Sequence, residues 1–156
     1  MKTIQSVLVS AALAIAMAAP AGAATTDPEV IIYRFPGVID SGGAAGTGSA
    51  TVFHCTNFSG VTENIRFATR TANGDLPSNA LVSINHLQTV SVSTKLIASY
   101  AITNLATGAV TQGTTAIAAT SINVICTGMT IDAANQKPDG IALRGIRFSP
   151  VPGSQE

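Results

Sequence analysis

Five side chains of the sequence could bind a transition metal, and copper is the metal that they would suit. They are His54, His86, Cys55, Cys126 and Met129. A blue-copper site needs two histidines, a cysteine thiolate and a weakly bound methionine on a β-sandwich. However, no histidine lies between Cys126 and Met129, where cupredoxins place one, and a disulfide would remove the thiolate. We therefore predict no metal and no cofactor.

The sequence also contains the residue types of a serine hydrolase, which needs a serine, a histidine and a carboxylate that converge. It has no Gly-x-Ser-x-Gly elbow around a candidate nucleophile. The eight acidic residues are spread singly along the chain, so no two are spaced to share a substrate. The sequence predicts a non-enzymatic protein, and a small periplasmic hydrolase or metal-binding protein is the alternative.

Cys55 and Cys126 are the two cysteines of the chain, and each belongs to an alternating run of β-branched residues. Two cysteines in an exported chain most simply form one disulfide. The bond would close a loop of about 70 residues, for which chain entropy predicts about 4 kcal/mol of stabilisation. We predict a Cys55–Cys126 disulfide that ties two strands across the core. Two buried free thiols are the alternative.

The first residues have the pattern of a secretory signal peptide. Lys2 supplies the positive charge, residues 7–19 are apolar, and Pro-Ala-Gly-Ala at 20–23 contains an Ala-x-Ala cleavage site. We predict a signal peptide at 1–23. The apolar run is too short to span a bilayer comfortably, and no later segment is long enough. The product is expected to be secreted or periplasmic in a bacterium, without membrane insertion after signal cleavage.

Charge on the mature chain is sparse and balanced. Without Lys2, seven basic side chains stand against eight acidic ones, and they form no basic stripe. Binding to nucleic acid depends mainly on neutralising phosphates, so we predict no nucleic-acid partner. The same scarcity argues against electrostatic attachment to anionic lipid. Threonine, serine, alanine, valine and isoleucine dominate, which is typical of an all-β secreted protein.

Short alternating runs separated by turn residues predict a single domain over residues 24–149, followed by a flexible tail at 150–156. Pro36-Gly37 is expected to stop the first strand, and the glycine-rich residues 40–46 are expected to form an unanchored surface loop. The phase of the last run slips at Gly145, as a β-bulge would make it do. The runs lie at 30–35, 48–56, 62–71, 80–87, 89–94, 95–103, 110–119 (expected as an edge strand), 121–131 and 141–148.

The expected fold class is all-β, an antiparallel β-sandwich of about seven to eight strands with one inter-strand disulfide. An immunoglobulin-like arrangement fits the cysteine spacing, with the bulky Phe67 about a dozen positions after Cys55. The departures are the absence of tryptophan and the presence of Val124 where a tyrosine corner would place a tyrosine.

Several phrases of the sequence carry a resemblance. They are Phe-His-Cys-Thr-Asn at 53–57, Ala-Ile-Ala-Ala-Thr-Ser at 116–121, and Gly-Ile-Ala-Leu at 140–143 with Arg-Phe-Ser-Pro at 147–150. In these phrases the chain resembles a group of small exported bacterial proteins that has no assigned function. The resemblance covers most of the mature chain and supplies no catalytic motif.

Arg66 and Arg70 share one face of the run 62–71 and are the residues best placed to meet a partner. We predict an exported protein with a contact role toward an unknown protein, surface or glycan, and Arg66 and Arg70 form its candidate contact face. Alternatively, outward arginines only keep a sheet face solvated. A pilin-like subunit completed by a donated strand is a further alternative, with residues 30–35 as the donor. The sequence leaves the oligomeric state open.

Overall fold

A computed structural model describes residues 28–137 and 139–148 of the protein. The predicted signal peptide at 1–23 and the predicted tail at 150–156 lie outside these residues. The described part contains ten strands and no helix. No helix in it is therefore long and apolar enough to cross a membrane. The strands are β1 (Val30–Asp40), β2 (Ser49–Asn57), β3 (Glu63–Arg70), β4 (Ser78–Ile84), β5 (Thr89–Ser93), β6 (Thr103–Asn104), β7 (Val110–Ala119), β8 (Val124–Asp132), β9 (Gly140–Leu143) and β10 (Ile146–Arg147).

The strands form one curled sheet whose pairing separates into two layers of five strands. The first layer has the order β4-β3-β7-β1-β10, and the second has the order β6-β5-β2-β8-β9. The two layers are joined where Asp40 at the end of β1 pairs with Ala50 near the start of β2. All pairs are antiparallel except β5 with β6. The all-β fold expected from the sequence is confirmed.

Three phenylalanines connect the layers at the centre of the core. Phe35 and Phe67 come from the first layer and Phe53 from the second, and all three are fully buried. The ring centroid of Phe53 lies 5.3 Å from that of Phe35 and 6.1 Å from that of Phe67. Such offset aromatic contacts stabilise a core beyond the burial of their area. The alternation of side chains along β1, β2 and β3 therefore directs one phenylalanine from each strand into a common interior.

The disulfide Cys55–Cys126 is present, but it does not cross the core. Cys55 on β2 and Cys126 on β8 are direct register partners, with Cα atoms 4.2 Å apart. In an immunoglobulin domain the corresponding bond joins the two sheets. Here β8 pairs with β2 along its whole length, so the bond links neighbouring strands of the second layer.

Two predictions about the extent of strands are wrong. Pro36-Gly37 does not end the first strand, because β1 continues to Asp40 and absorbs Gly37 at a register shift between Pro36 and Val38. Gly37 has a φ of 80°, a conformation that glycine adopts at no steric cost. The run 95–103 is not a strand except at Thr103, where β6 begins.

The expected edge strand at 110–119 is also wrong, because β7 lies in the middle of the first layer. It pairs with β1 on one side and with β3 on the other. Its alanines and threonines alternate between the core and the outer face, and small side chains fit a strand that has neighbours on both sides. A weak hydrophobic pattern therefore marked a central strand.

The predicted bulge at Gly145 is instead a crossing between layers. The chain pairs with β8 as β9 and then with β1 as β10. A Cβ atom on Gly145 would lie 2.4 Å from Cε1 of Phe35, so the crossing passes directly over that ring. Glycine is required here by this close approach, and two short strands replace one bulged strand.

Candidate contact face

The outer surface of the first layer is an open sheet face, which we call the arginine face. Arg66, Ala68 and Arg70 point outward from β3 because they alternate with the buried Ile65 and Phe67. Strand register places the other side chains of the face beside them. They are Leu81 on β4, Ala116 and Ala118 on β7, Ile31 and Arg34 on β1, and Ile146 on β10.

Arg66 and Arg70 share this face as predicted, but each is already bound within the chain. The guanidinium of Arg66 makes two hydrogen bonds to the carboxylate of Glu29, at 2.6 and 2.9 Å. The hydrogen bond that Arg66 donates to the carboxylate of Glu29 raises the pKa of Arg66 above its ordinary value. Arg70 donates from Nη1 to the carbonyl of Gly74 at 2.8 Å. Hydrogen bonds within the chain therefore hold both side chains in place, and the carboxylate of Glu29 balances the charge of Arg66.

Arg34 is the arginine of this face that sequence reasoning missed. It is exposed and lies between Ala116 on β7 and Ile146 on β10. Its guanidinium carbon lies 5.7 Å from the ring centroid of Phe148, a cation–π contact. Among residues 28–137 and 139–148 it has no ion-pair partner. Its alternation with the buried Tyr33 and Phe35 was the available signal.

Small side chains keep the middle of the arginine face flat. Ala116 and Ala118 on β7 separate the β1 side chains from those of β3. Three large apolar side chains surround Arg34 and remain exposed: Ile31 at 40%, Ile146 at 46% and Phe148 at 40%. Arginine and aromatic residues are enriched in protein interfaces relative to the rest of the surface. The face thus combines flatness, apolar area and a positive charge free of any described carboxylate.

The outer surface of the second layer differs because the chain itself covers part of it. Val52 points outward from β2, opposite in phase to Phe53, yet it is fully buried. The segment 95–102 lies on this side, where Ala98 donates its N–H to the carbonyl of Ala133 at 3.0 Å. Tyr100 meets the ring of His54 edge-on, with centroids 4.9 Å apart. The outside of the second layer is therefore partly covered, with Ile125 on β8 still 47% exposed, and the outside of the first layer is open.

The two histidines make structural contacts and do not come together. His54 Nδ1 lies 2.8 Å from Ser91 Oγ on the neighbouring strand, and burial lowers the pKa of His54 below 6.5. His86 Nδ1 accepts the N–H of Gly60 at 3.0 Å. Within the described part of the chain no three His, Cys, Asp or Glu side chains gather as metal ligands.

The contact between His54 and Ser91 differs from that of a hydrolase. In a catalytic triad the serine bonds to Nε2 while a carboxylate holds Nδ1. Here the serine occupies Nδ1, and no carboxylate among the described residues bonds to either nitrogen. His54 and Ser91 therefore form a cross-strand hydrogen bond, which orients the imidazole ring against Tyr100.

Comparison with known proteins assigns the chain to no family. No family model and no curated protein matches the chain. One solved structure, "Crystal Structure of Thermotoga maritima 1070", matches with a TM-score of 0.47 and 13% sequence identity. The match covers 73% of this chain and 92% of that one. A likeness at this level carries no argument about function.

Proposed function

We propose that the protein is an exported, non-enzymatic β-sandwich that works by contact, and that its partner is an acidic protein surface. The observation that carries this proposal is the open arginine face, set against a second layer that residues 95–102 partly cover. The signal-peptide pattern at 1–23 and the disulfide support export.

Charge and shape both favour a carboxylate-bearing protein as the partner. The strands of this face contribute three outward arginines, and Glu29 balances Arg66. In the part of the chain that the structure describes, no hydrogen bond engages the guanidinium of Arg34, so it can bind a carboxylate in a two-bond geometry. Around it lie the exposed apolar side chains of Ile31, Ile146 and Phe148, and their burial against a partner would stabilise the complex.

A donated strand is a weaker proposal, because the segment that would be donated is held by its own chain. Residues 30–35 form the first half of β1, between β7 and β10. Releasing them would expose Phe35 and Ile32, which are both 1% exposed. Contact through a preformed face requires no such loss.

The proposal is tested by charge reversal at Arg34. Proteins from the source bacterium that cross-link to the purified protein would be identified, and the affinity of each purified candidate would be measured. We expect Arg34→Glu to weaken binding at least tenfold and to reduce its salt dependence. Lys137→Glu is the matched control, because Lys137 is exposed in the turn between β8 and β9, which both belong to the second layer.

Two soluble polymers distinguish the class of partner. Poly-L-glutamate presents carboxylates on a peptide backbone, and polygalacturonate presents them on a glycan. Binding of polygalacturonate with no binding of poly-L-glutamate would replace the protein partner with an acidic glycan. If Arg34→Glu leaves binding of every purified partner and both polymers unchanged, the arginine face is not the site.

A further inference from the structure

The first layer ends in a free edge, which is the strand β4. β4 (Ser78–Ile84) pairs with β3 over seven residues, from Ser78 with Thr69 to Ile84 with Glu63, without a bulge. On its other side no strand pairs with it in the described ranges 28–137 and 139–148. An edge strand presents unpaired N–H and C=O groups in a row, which is a template for another strand.

β4 lacks the features by which edges are usually blocked. Its sequence, Ser-Asn-Ala-Leu-Val-Ser-Ile, contains no charged residue and no proline. The other outer strands are shorter, with two residues in β6, two in β10 and four in β9. Lysine, proline, bulges and short length are the common protections of an edge. β4 has none of them and is the longest open edge of the described sheet.

We propose that β4 pairs with β4 of a second copy of this chain, in antiparallel orientation about a two-fold axis at Leu81. In that register Leu81 faces Leu81 of the second copy, Ala80 faces Val82, and Asn79 faces Ser83. Leu81 is 48% exposed on the arginine-face side, while Ala80 and Val82 are partly buried and pack against the core. The strand is self-complementary, with apolar pairs at its centre and polar pairs outside them.

The two-fold symmetry makes this contact closed. Each copy uses the same strand, so the pairing gives a dimer and leaves no second β4 edge to extend a chain of copies. The register works with either hydrogen-bonding phase of β4. If the N–H and C=O of Leu81 point away from β3, they form two hydrogen bonds with Leu81 of the second copy. Otherwise Ala80 of each copy forms two hydrogen bonds with Val82 of the other.

Charge beside the seam is already balanced. Arg66 on β3 is the register partner of Leu81. Two copies of Arg66 would lie three strand spacings apart, about 14 Å across the axis. The bidentate pair with Glu29 balances each charge, so the dimer brings no unpaired like charges together at this position. The outer face of both first layers would become one continuous sheet that carries two copies of Arg34.

A cysteine at the axis tests the register directly. Directly opposed residues of antiparallel strands have Cα atoms about 4.5 to 5.5 Å apart, within the range that a disulfide bridges. We expect Leu81→Cys to form a covalent dimer under mild oxidation. Ile125→Cys is the matched control, because Ile125 is 47% exposed and lies on the second layer. Cys55 and Cys126 are bonded to each other and do not interfere.

Sedimentation equilibrium gives the second measurement. Wild type should show a reversible, concentration-dependent dimer, and Ile125→Lys should behave like it. Leu81→Lys should be monomeric, because it places two like charges opposite each other. Far-UV circular dichroism and thermal unfolding establish that each variant is folded. A wild type that stays monomeric over the whole soluble concentration range overturns the proposal, as does equal dimerisation of Leu81→Lys or equal cross-linking of the two cysteine variants.

This experiment is independent of the partner proposed above, since it uses the protein alone. Arg34→Glu should leave dimerisation unchanged, because Arg34 on β1 lies three strands away from β4. Failure of one proposal is therefore recognised without reference to the other.

Discussion

Lys95 and Asp40 form an ion pair with Nζ 2.9 Å from Oδ1, and both side chains are almost completely buried, at 9% and 2% exposure. Lys95 also donates to the carbonyls of Gly42 and of Thr47, the latter at 3.2 Å. The glycine-rich residues 40–46, predicted to form an unanchored loop, are thus held by Lys95. The anchor lies 53 residues from Gly42 and 48 from Thr47 in sequence, so the local composition gave no sign of it.

Removal of one member of this pair should be costly. Lys95→Met would leave the carboxylate of Asp40 buried with only the N–H of Gly42 and the hydroxyl of Thr107 as partners. We expect a loss of about 3 to 5 kcal/mol in the free energy of unfolding, measured by urea denaturation. The double variant Asp40→Asn/Lys95→Met should lose less than Lys95→Met alone. Equal or greater loss in the double variant would show that the two charges do not stabilise each other.

Gly145→Ala should destabilise the protein through Phe35. The added Cβ would lie 2.4 Å from Cε1 and 2.5 Å from Cζ of a fully buried ring. Overpacking of this kind costs about 1 to 3 kcal/mol, visible as a lower melting temperature. Gly140→Ala is the control, because its closest contact, at 2.9 Å, is the mobile thioether end of Met129. Equal losses at the two positions would contradict the role given to Phe35.

Loss of the disulfide should lower stability without changing the fold. The bond closes a separation of 71 residues, for which chain entropy gives about 4 kcal/mol. Cys55→Ser/Cys126→Ser should unfold at lower denaturant concentration by that amount or less. Mass spectrometry without reductant should find the wild-type protein two hydrogens lighter than its sequence. Two alkylatable thiols in the native protein would rule out the bond.

His54 should make stability fall on acidification. Burial lowers the pKa of His54 in the folded state below the value of 6.5 that applies to the unfolded chain. The unfolded state therefore binds the proton more readily, so the contribution is complete above pH 6.5 and is lost as pH falls below it. His54→Gln should flatten that part of the pH profile. An NMR titration of the imidazole with a midpoint at or above 6.5 would contradict the argument.

Arg66 and Arg70 should contribute little to stability despite their contacts. Exposed ion pairs are worth about 0.2 to 1 kcal/mol, and Arg66 is one-third exposed, at 34%. Arg66→Ala/Arg70→Ala should therefore leave the melting temperature nearly unchanged. The ion pair predicts a slightly larger effect for Arg66→Ala than for Arg70→Ala, and the difference should vanish in high salt. If the double variant unfolds, the two arginines are required for the stability of the fold.

Several features followed from the sequence because they depend on neighbouring residues. A period of two along β2 and β3 identified the strands, and it placed Phe67 inside and Arg66 outside. Two cysteines in a chain whose first residues have the pattern of an export signal sufficed to predict the disulfide pairing, since two cysteines allow only one intramolecular bond. Each of these inferences needs only the alternation of side chains along a strand or the number of cysteines.

Tertiary structure alone decided which strands are neighbours, and the errors lie there. The sequence could not show that Cys55 and Cys126 share one layer, because strand order is set by pairing between segments about 70 residues apart. It could not place β7 between β1 and β3, since a central position has no local pattern when the side chains are small. The open face around Arg34 and the open edge at Leu81 exist for the same reason. They are defined by the strands and loops that lie beside them, and a side chain's exposure is fixed only when its distant neighbours are in place.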